Sequence, residues 1–276
     1  MTGGSVRRRV LRRIIPGRAP GARRSDLATR AIAGGAMIAV ALACLLLGGL
    51  AFWALACAAA LLMVGEWAGL MRCTEGRIRL ALVAFALPVI ALAPIVAGPG
   101  RDTVALLIAT ALAVMVAGNS ARLGAGLVYA GLPTAGLLFL REQPDGLWLA
   151  LWTLAIVWAT DIGAYFAGRR FGGRKLAPRL SPNKTWAGLY GGMAGALVAG
   201  AVIAVLGGLG PAFFVLGAPL AVTAQMGDLF ESWLKRRAGV KDSGRLLPGH
   251  GGALDRLDGV VPVAVIVAGA VAGGLL

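Results

Sequence analysis

The chain has 276 residues, 58% of them apolar and only 14% charged, with a mean hydropathy of +0.81 and a formal net charge of +15. Soluble domains run nearer half apolar and a quarter charged, so this much apolar surface exceeds what one water-soluble core can bury. The surplus Lys and Arg lie in the first thirty residues and in short loops, not on a basic face interleaved with aromatics, which argues against a nucleic-acid partner.

The N-terminal stretch MTGGSVRRRVLRRIIPGRAPGARR is rich in arginine, with nine in residues 1–30. Signal and transit peptides share that bias, but the apolar run that follows is too long for an h-region and lacks a small-residue cleavage site. Residues 1–30 therefore read as a basic cytoplasmic arm suited to anionic headgroups. Apolar spans of about twenty residues, the length a bilayer core requires, follow at 31–48, 52–70, 79–98, 103–119, 124–140, 147–168, 186–207, 211–231 and 259–276. The first two form one run, divided at Gly48-Gly49; Pro88, Pro94 and Pro133 are tolerable in packed membrane helices. The expected fold is an all-α polytopic integral membrane protein of about nine transmembrane helices: N-terminal helices over 31–146, then a C-terminal region over 147–276 with two cytoplasmic loops.

Orientation follows from charge. With the N-terminus inside, 25 of the 27 Lys and Arg fall in inner segments, leaving only Arg101 and Arg141 outside. Both large basic loops, 169–184 and 235–256, then face the cytoplasm. In the seventh span Gly188, Gly192, Ala196 and Gly200 recur every fourth position, which predicts a face for close helix packing. Cys44, Cys57 and Cys73 have neither zinc spacing nor a disulfide framework.

The acids are few and unevenly placed. Of twelve, Asp161, Asp228, Glu231, Asp242, Asp255 and Asp258 lie in the inner ends or loops of the last spans. A single such carboxylate is accounted for by pairing with an arginine; a cluster points to function. Converging carboxylates suit Mg²⁺, a hard cation that takes oxygen ligands. Beside them stand GRRFGGRKLAPRLSPNKTWAG and KRRAGVKDSGR, where Arg and Lys mix with Gly as polyphosphate binding requires. His250, in PGHGG, reads as a phosphate contact or loop organiser, because an attacking phosphate is largely dianionic at neutral pH and requires no base.

The stretch SWLKRRAGVKDSGRLLPGHGGALDRLDG, residues 232–259, resembles the signature of phosphatidate cytidylyltransferases, with Ser232, Lys235, Arg236, Lys241, Asp242, His250 and Asp255 at its fixed positions. QMGDLFES (225–232) and DIGAYFAGRRFGGRKLAPRLSPNKTWAG (161–188) are similar to the family too, except that Ala187 stands where a Glu is expected. The resemblance covers roughly the C-terminal half; the first five spans match only in hydropathy. It implies that CTP and phosphatidate react to give CDP-diacylglycerol and pyrophosphate, at the cytoplasmic face of a bacterial inner membrane.

The resemblance further implies a catalytic set of Asp228, Asp255, Lys235, Lys241 and Asp242. Mg²⁺ would be held by Asp228 and Asp255, with Asp258 or Asp161 completing the set. Ser181, Lys184, Thr185, Ser232, Arg236, His250 and Arg256 would bind substrate. A second, monovalent cation such as K⁺ and a homodimer are also implied. Two other readings remain: a cytidylyltransferase for another lipid phosphate, and an ion-coupled transporter using Asp161 and Asp228. The transporter gives no reason for the 241–259 loop and lacks evident duplicated halves.

Overall fold

The computed structural model describes residues 20–244 and 251–276, with side chains from residue 34 onward. The chain divides into two units, Met1–Val40 and Ala41–Leu276. Helix α1 (Pro20–Leu47) begins in the first unit and ends in the second, where Leu45 is buried. The second unit continues through α2 (Gly49–Leu70), α3 (Glu75–Ala91), α4 (Arg101–Ala117), α5 (Ala121–Glu142) and α6 (Gly146–Phe171). A hairpin of β1 (Lys175–Ala177) and β2 (Ser181–Thr185) leads into α7 (Trp186–Gly207). A 3₁₀ turn at Pro211–Phe214, α8 (Gly217–Ala238), the single turn α9 (Leu254–Leu257) and α10 (Val260–Ala272) complete it.

Among the described residues, every expected span overlaps a helix. By length and composition α2, α5, α6 and α7 are long and apolar enough to cross a membrane, and the architecture is that of a helical integral membrane protein. Gly48 and Gly49 take φ of 65° and 47°, a backbone that side-chain-bearing residues avoid, so the first apolar run breaks where the sequence suggests.

Three boundaries differ from expectation. Helix α3 stops at Ala91, and residues 92–98, with Pro94, form turns in place of the last part of a span. Pro211 opens a 3₁₀ turn, while α8 runs on to Ala238 with Lys235, Arg236 and Arg237 in its last turn, where positive charge favours the helix end. These cations therefore stand on a helix, not in a loop. The fold is also not purely α-helical, because part of the first basic loop forms the antiparallel pair β1–β2, with Lys175 opposite Thr185 and Ala177 opposite Ser181. Its turn has Pro178 at the second position, and Leu180 N donates to Ala177 O at 3.1 Å.

Helix α5 is the most enclosed of the long helices, packed by α2, α4 and α10. Helices α6 and α7 run antiparallel in intimate contact. The small face of α7 (Gly188, Gly192, Ala196, Gly200) is buried, as its spacing predicts. A Cβ on Gly192 would stand 2.9 Å from Thr160 O, and Trp152 Nε1 donates to Gly200 O at 3.0 Å. This approach sets Asp161, next to Thr160, against the start of α7 and the hairpin that precedes it.

Candidate active site

Helix α8 provides the frame. Asp228, Glu231, Ser232 and Lys235 fall at spacings of three and four, on one helical face. Gly227 brings the last turn of the chain onto that face: a Cβ there would collide with Asp258 O and stand 2.9 Å from Pro262 Cγ. Asp258, the residue that ends α9, is thereby placed beside Asp228. From the hairpin, Lys184 Nζ reaches Asp228 Oδ2 at 2.5 Å. From α6, Asp161 lies near enough to Asp228, Lys184 and Arg256 to interact with each through charge.

Asp161, Asp228 and Asp258 thus gather from three separate elements around one partly buried lysine. Asp258 records the charge imbalance. Its carboxyl is pushed up to about 7, by burial first and then by Asp228 and Asp161, against the opposing pull of the Gly259 amide and Lys184. Among the described residues, no three acidic, His or Cys side chains stand close enough to hold a metal ion as they are. The donor type and the excess negative charge nevertheless fit a hard divalent cation.

Asp255 occupies a different environment. Lys235 Nζ donates to its Oδ1 at 2.6 Å, and its Oδ2 accepts from Ser243 N (2.9 Å), Ser243 Oγ (2.9 Å) and Gly252 N (2.8 Å). Burial would raise this carboxyl, but hydrogen bonds with Glu231, the Gly252 amide, Lys235 and the Ser243 amide hold it well below the usual carboxylate range. Lys235 also pairs with Glu231, which is only 1% exposed. Asp255 is thus held by Lys235 and by donors of residues 243 and 252, whereas Asp228 pairs with Lys184.

The remaining expected residues divide. Ser232 Oγ donates to Asp228 Oδ1 at 3.4 Å, close to the carboxylates. Thr185 is buried and caps α7, its Oγ1 accepting from Gly188 N at 3.0 Å. Ser181 opens β2, half-buried. Arg236 Nε donates to Leu180 O at 3.4 Å, tying the hairpin to α8. Lys241 and Asp242 are exposed beyond α8, and Arg256 is exposed on α9. His250 lies outside the described residues, as do residues 1–19 of the basic arm. Ala187 is half-buried in the first turn of α7.

Two features were missed by sequence reasoning. Trp67, Tyr129, Phe230 and Trp233 form a chain of ring contacts with centroids 4.9, 5.7 and 5.8 Å apart, joining α2, α5 and α8. Glu66, next to Trp67, accepts hydrogen bonds from residues near Asp255. Both depend on contacts between distant segments, and a lone Glu near the end of an apolar run carries no local signal.

A mainly helical membrane protein with converging carboxylates and cations between its last helices fits the class of enzymes that handle phosphate esters at a membrane surface. A family model described as Cytidylyltransferase family matches residues 28–272, and the chain belongs to that family. A phosphatidate cytidylyltransferase of Brucella suis is 53% identical over 148 residues, covering 52% of this chain and 54% of that protein. Proteins of the same name from Pseudomonas aeruginosa (42% over 155 residues; 55% and 57% covered) and Rickettsia bellii (41% over 155; 51% and 65%) are also similar. The chain spans about half the length of the first of the curated relatives it matches.

Proposed function

We propose that this protein is a phosphatidate cytidylyltransferase. A phosphate oxygen of phosphatidate attacks the α-phosphorus of CTP, the bond from that phosphorus to the β-bridging oxygen breaks, and pyrophosphate leaves as CDP-diacylglycerol forms. Such a reaction asks the protein mainly for alignment and charge neutralisation. The observation that carries the reading is the convergence of Asp161, Asp228, Asp258 and Lys184 from α6, α8, the end of α9 and β2. The family match and the named relatives support it.

Asp161, Asp228 and Asp258 are the residues that would hold Mg²⁺, which supplies charge neutralisation at the phosphates when bound. Lys184 balances the carboxylates, while Arg236, Lys241 and Arg256 ring the site with positive charge for the two phosphorylated substrates. Ser181 and Ser232 offer hydroxyls nearby. Asp255 with Lys235 fixes Ser243 and Gly252, and Asp242 is exposed beside Ser243. The reading extends to nine spans, a cytoplasmic N-terminus and active site, an inner-membrane location, a second monovalent cation such as K⁺ and a homodimer. The distribution of Lys and Arg supports the orientation.

The test is direct: purified protein, labelled CTP and phosphatidate in mixed micelles. CDP-diacylglycerol and pyrophosphate should appear in equal amounts and only with lipid present. Pyrophosphate release without lipid, or uptake of an ion without chemistry, would sink the proposal.

A further inference from the structure

Glu66 lies outside every motif that the sequence singles out, though within the residues 28–272 that the family model matches. Its carboxylate nevertheless makes three long-range contacts. Ala253 N donates to Oε1 at 2.9 Å, Leu254 N to Oε2 at 2.9 Å, and Ser243 Oγ lies 2.9 Å from Oε2. The two amides begin α9, where backbone donors have no partner within the helix. Ser243 Oγ is equally close to Asp255 Oδ2. With one proton to give, it serves one carboxylate at a time and ties the two together.

The glycines beside these residues supply an independent observation. A Cβ added at Gly244 would collide with the Glu66 carboxylate, and one at Gly252 with that carboxylate and with the Ser243 hydroxyl bound to it. Neither residue has a positive φ, so conformational freedom does not explain them; the space they leave for Glu66 does. Residues 243–244 and 251–254 are thus placed around a side chain that comes from another part of the bundle. Trp67, adjacent in sequence, anchors the same end of α2 by donating from Nε1 to Arg122 O at 2.8 Å.

We propose that Glu66 is a positioning residue for the reaction inferred above, on which this assignment rests. Its carboxylate pins Ser243 to the start of α9. Through Ser243 and α9 it keeps Asp255 on Lys235, and Asp258 beside Asp228. A carboxylate suits this task because it presents only acceptors, whereas a glutamine would turn an NH₂ group toward one of these donors.

The test uses the purified full chain and Glu66→Gln, with Gly252→Ala as a second variant that keeps Glu66 but denies it space. Hydrogen exchange should accelerate at least ~10-fold in peptides covering Ser243 and 251–257, with α5 and α7 unchanged. Turnover should fall at least ~10-fold, while KM for CTP changes less than about threefold, because misplacement acts on alignment and not on ground-state binding. Faster exchange with full turnover, unchanged exchange, or faster exchange throughout the bundle would each overturn the assignment. If the parent protein makes no CDP-diacylglycerol, the proposed activity fails by itself. Exchange confined to these peptides in both variants would then still uphold the positioning contacts, and its absence would reject them.

Discussion

Asp255→Asn separates two roles that the sequence alone merges. The substitution keeps the shape of the side chain and removes its charge. In either orientation the new NH₂ group faces donors: Lys235 Nζ on one side, or Ser243 N, Ser243 Oγ and Gly252 N on the other. At least one charge-assisted bond is therefore lost, and each such bond contributes about 1.5–3 kcal/mol. Lys235 keeps Glu231 but loses half of its compensation at a side chain only 15% exposed. Removing one partner of a buried pair costs about 3–5 kcal/mol. We therefore expect a loss of about 3 kcal/mol, a large share of the ~5–15 kcal/mol typical of a folded domain. Thermal unfolding of the purified protein in detergent measures it. A variant with parental stability that loses only its Mg²⁺-dependent turnover would refute the reasoning and restore Asp255 as a metal ligand.

Other substitutions should behave differently. Asp228→Asn should lower kcat by at least ~10³, about 4 kcal/mol of barrier, because charge at the reacting phosphates is no longer balanced; unfolding temperature should stay near parental, since Asp228 is 31% exposed and its pair is partly screened. Asp258 has a folded value raised to about 7, so the folded state binds more protons than the unfolded state from about 4, the ordinary carboxyl value, up to 7. Without divalent cation, stability should consequently fall as pH rises through that window, and Asp258→Asn should flatten the slope; an unchanged slope would assign it to another group. Ala187→Glu should leave the proposed turnover within about tenfold, because the chain carries no carboxylate at that position; a gain of several orders of magnitude would show that a working group is missing.

Much of the fold was legible because bilayer length and helical period act locally. The break at Gly48-Gly49, the small face of α7 and the overlap of spans with helices all follow from near neighbours in sequence. What failed was decided by partners far along the chain. The hairpin 175–185 reads as a loop because its strands are short and basic, and it is secured by Arg236 on α8. The Thr185 hydroxyl, read as a phosphate contact, also caps α7, which only the start of that helix shows. Asp161 and Asp228 stand out by their depth, and Asp258 enters the sequence reading only as an addition to Asp228 and Asp255. The bracing of Asp255 could not be read, because its donors lie in residues 243 and 252 as well as on α8.

The signature segment therefore does two kinds of work, and the glycines show how they are joined. Gly227 lets the backbone of Asp258 rest on α8, and burial there, together with the nearby Asp228 and Asp161, raises the Asp258 carboxyl. Gly244 and Gly252 let Glu66 reach Ser243 and the start of α9, where amides and a hydroxyl satisfy its negative charge. Hydrogen bonds around Asp255 and Glu66 can hold Asp258 where its own charge interactions are unfavourable. Such an arrangement would leave the crowded carboxylates for the proposed cation and keep the others as scaffold. It also explains why acids so close in sequence as Asp255 and Asp258 should respond in opposite ways to removal: one loses the contacts with Ser243 and Gly252, the other relieves a repulsion.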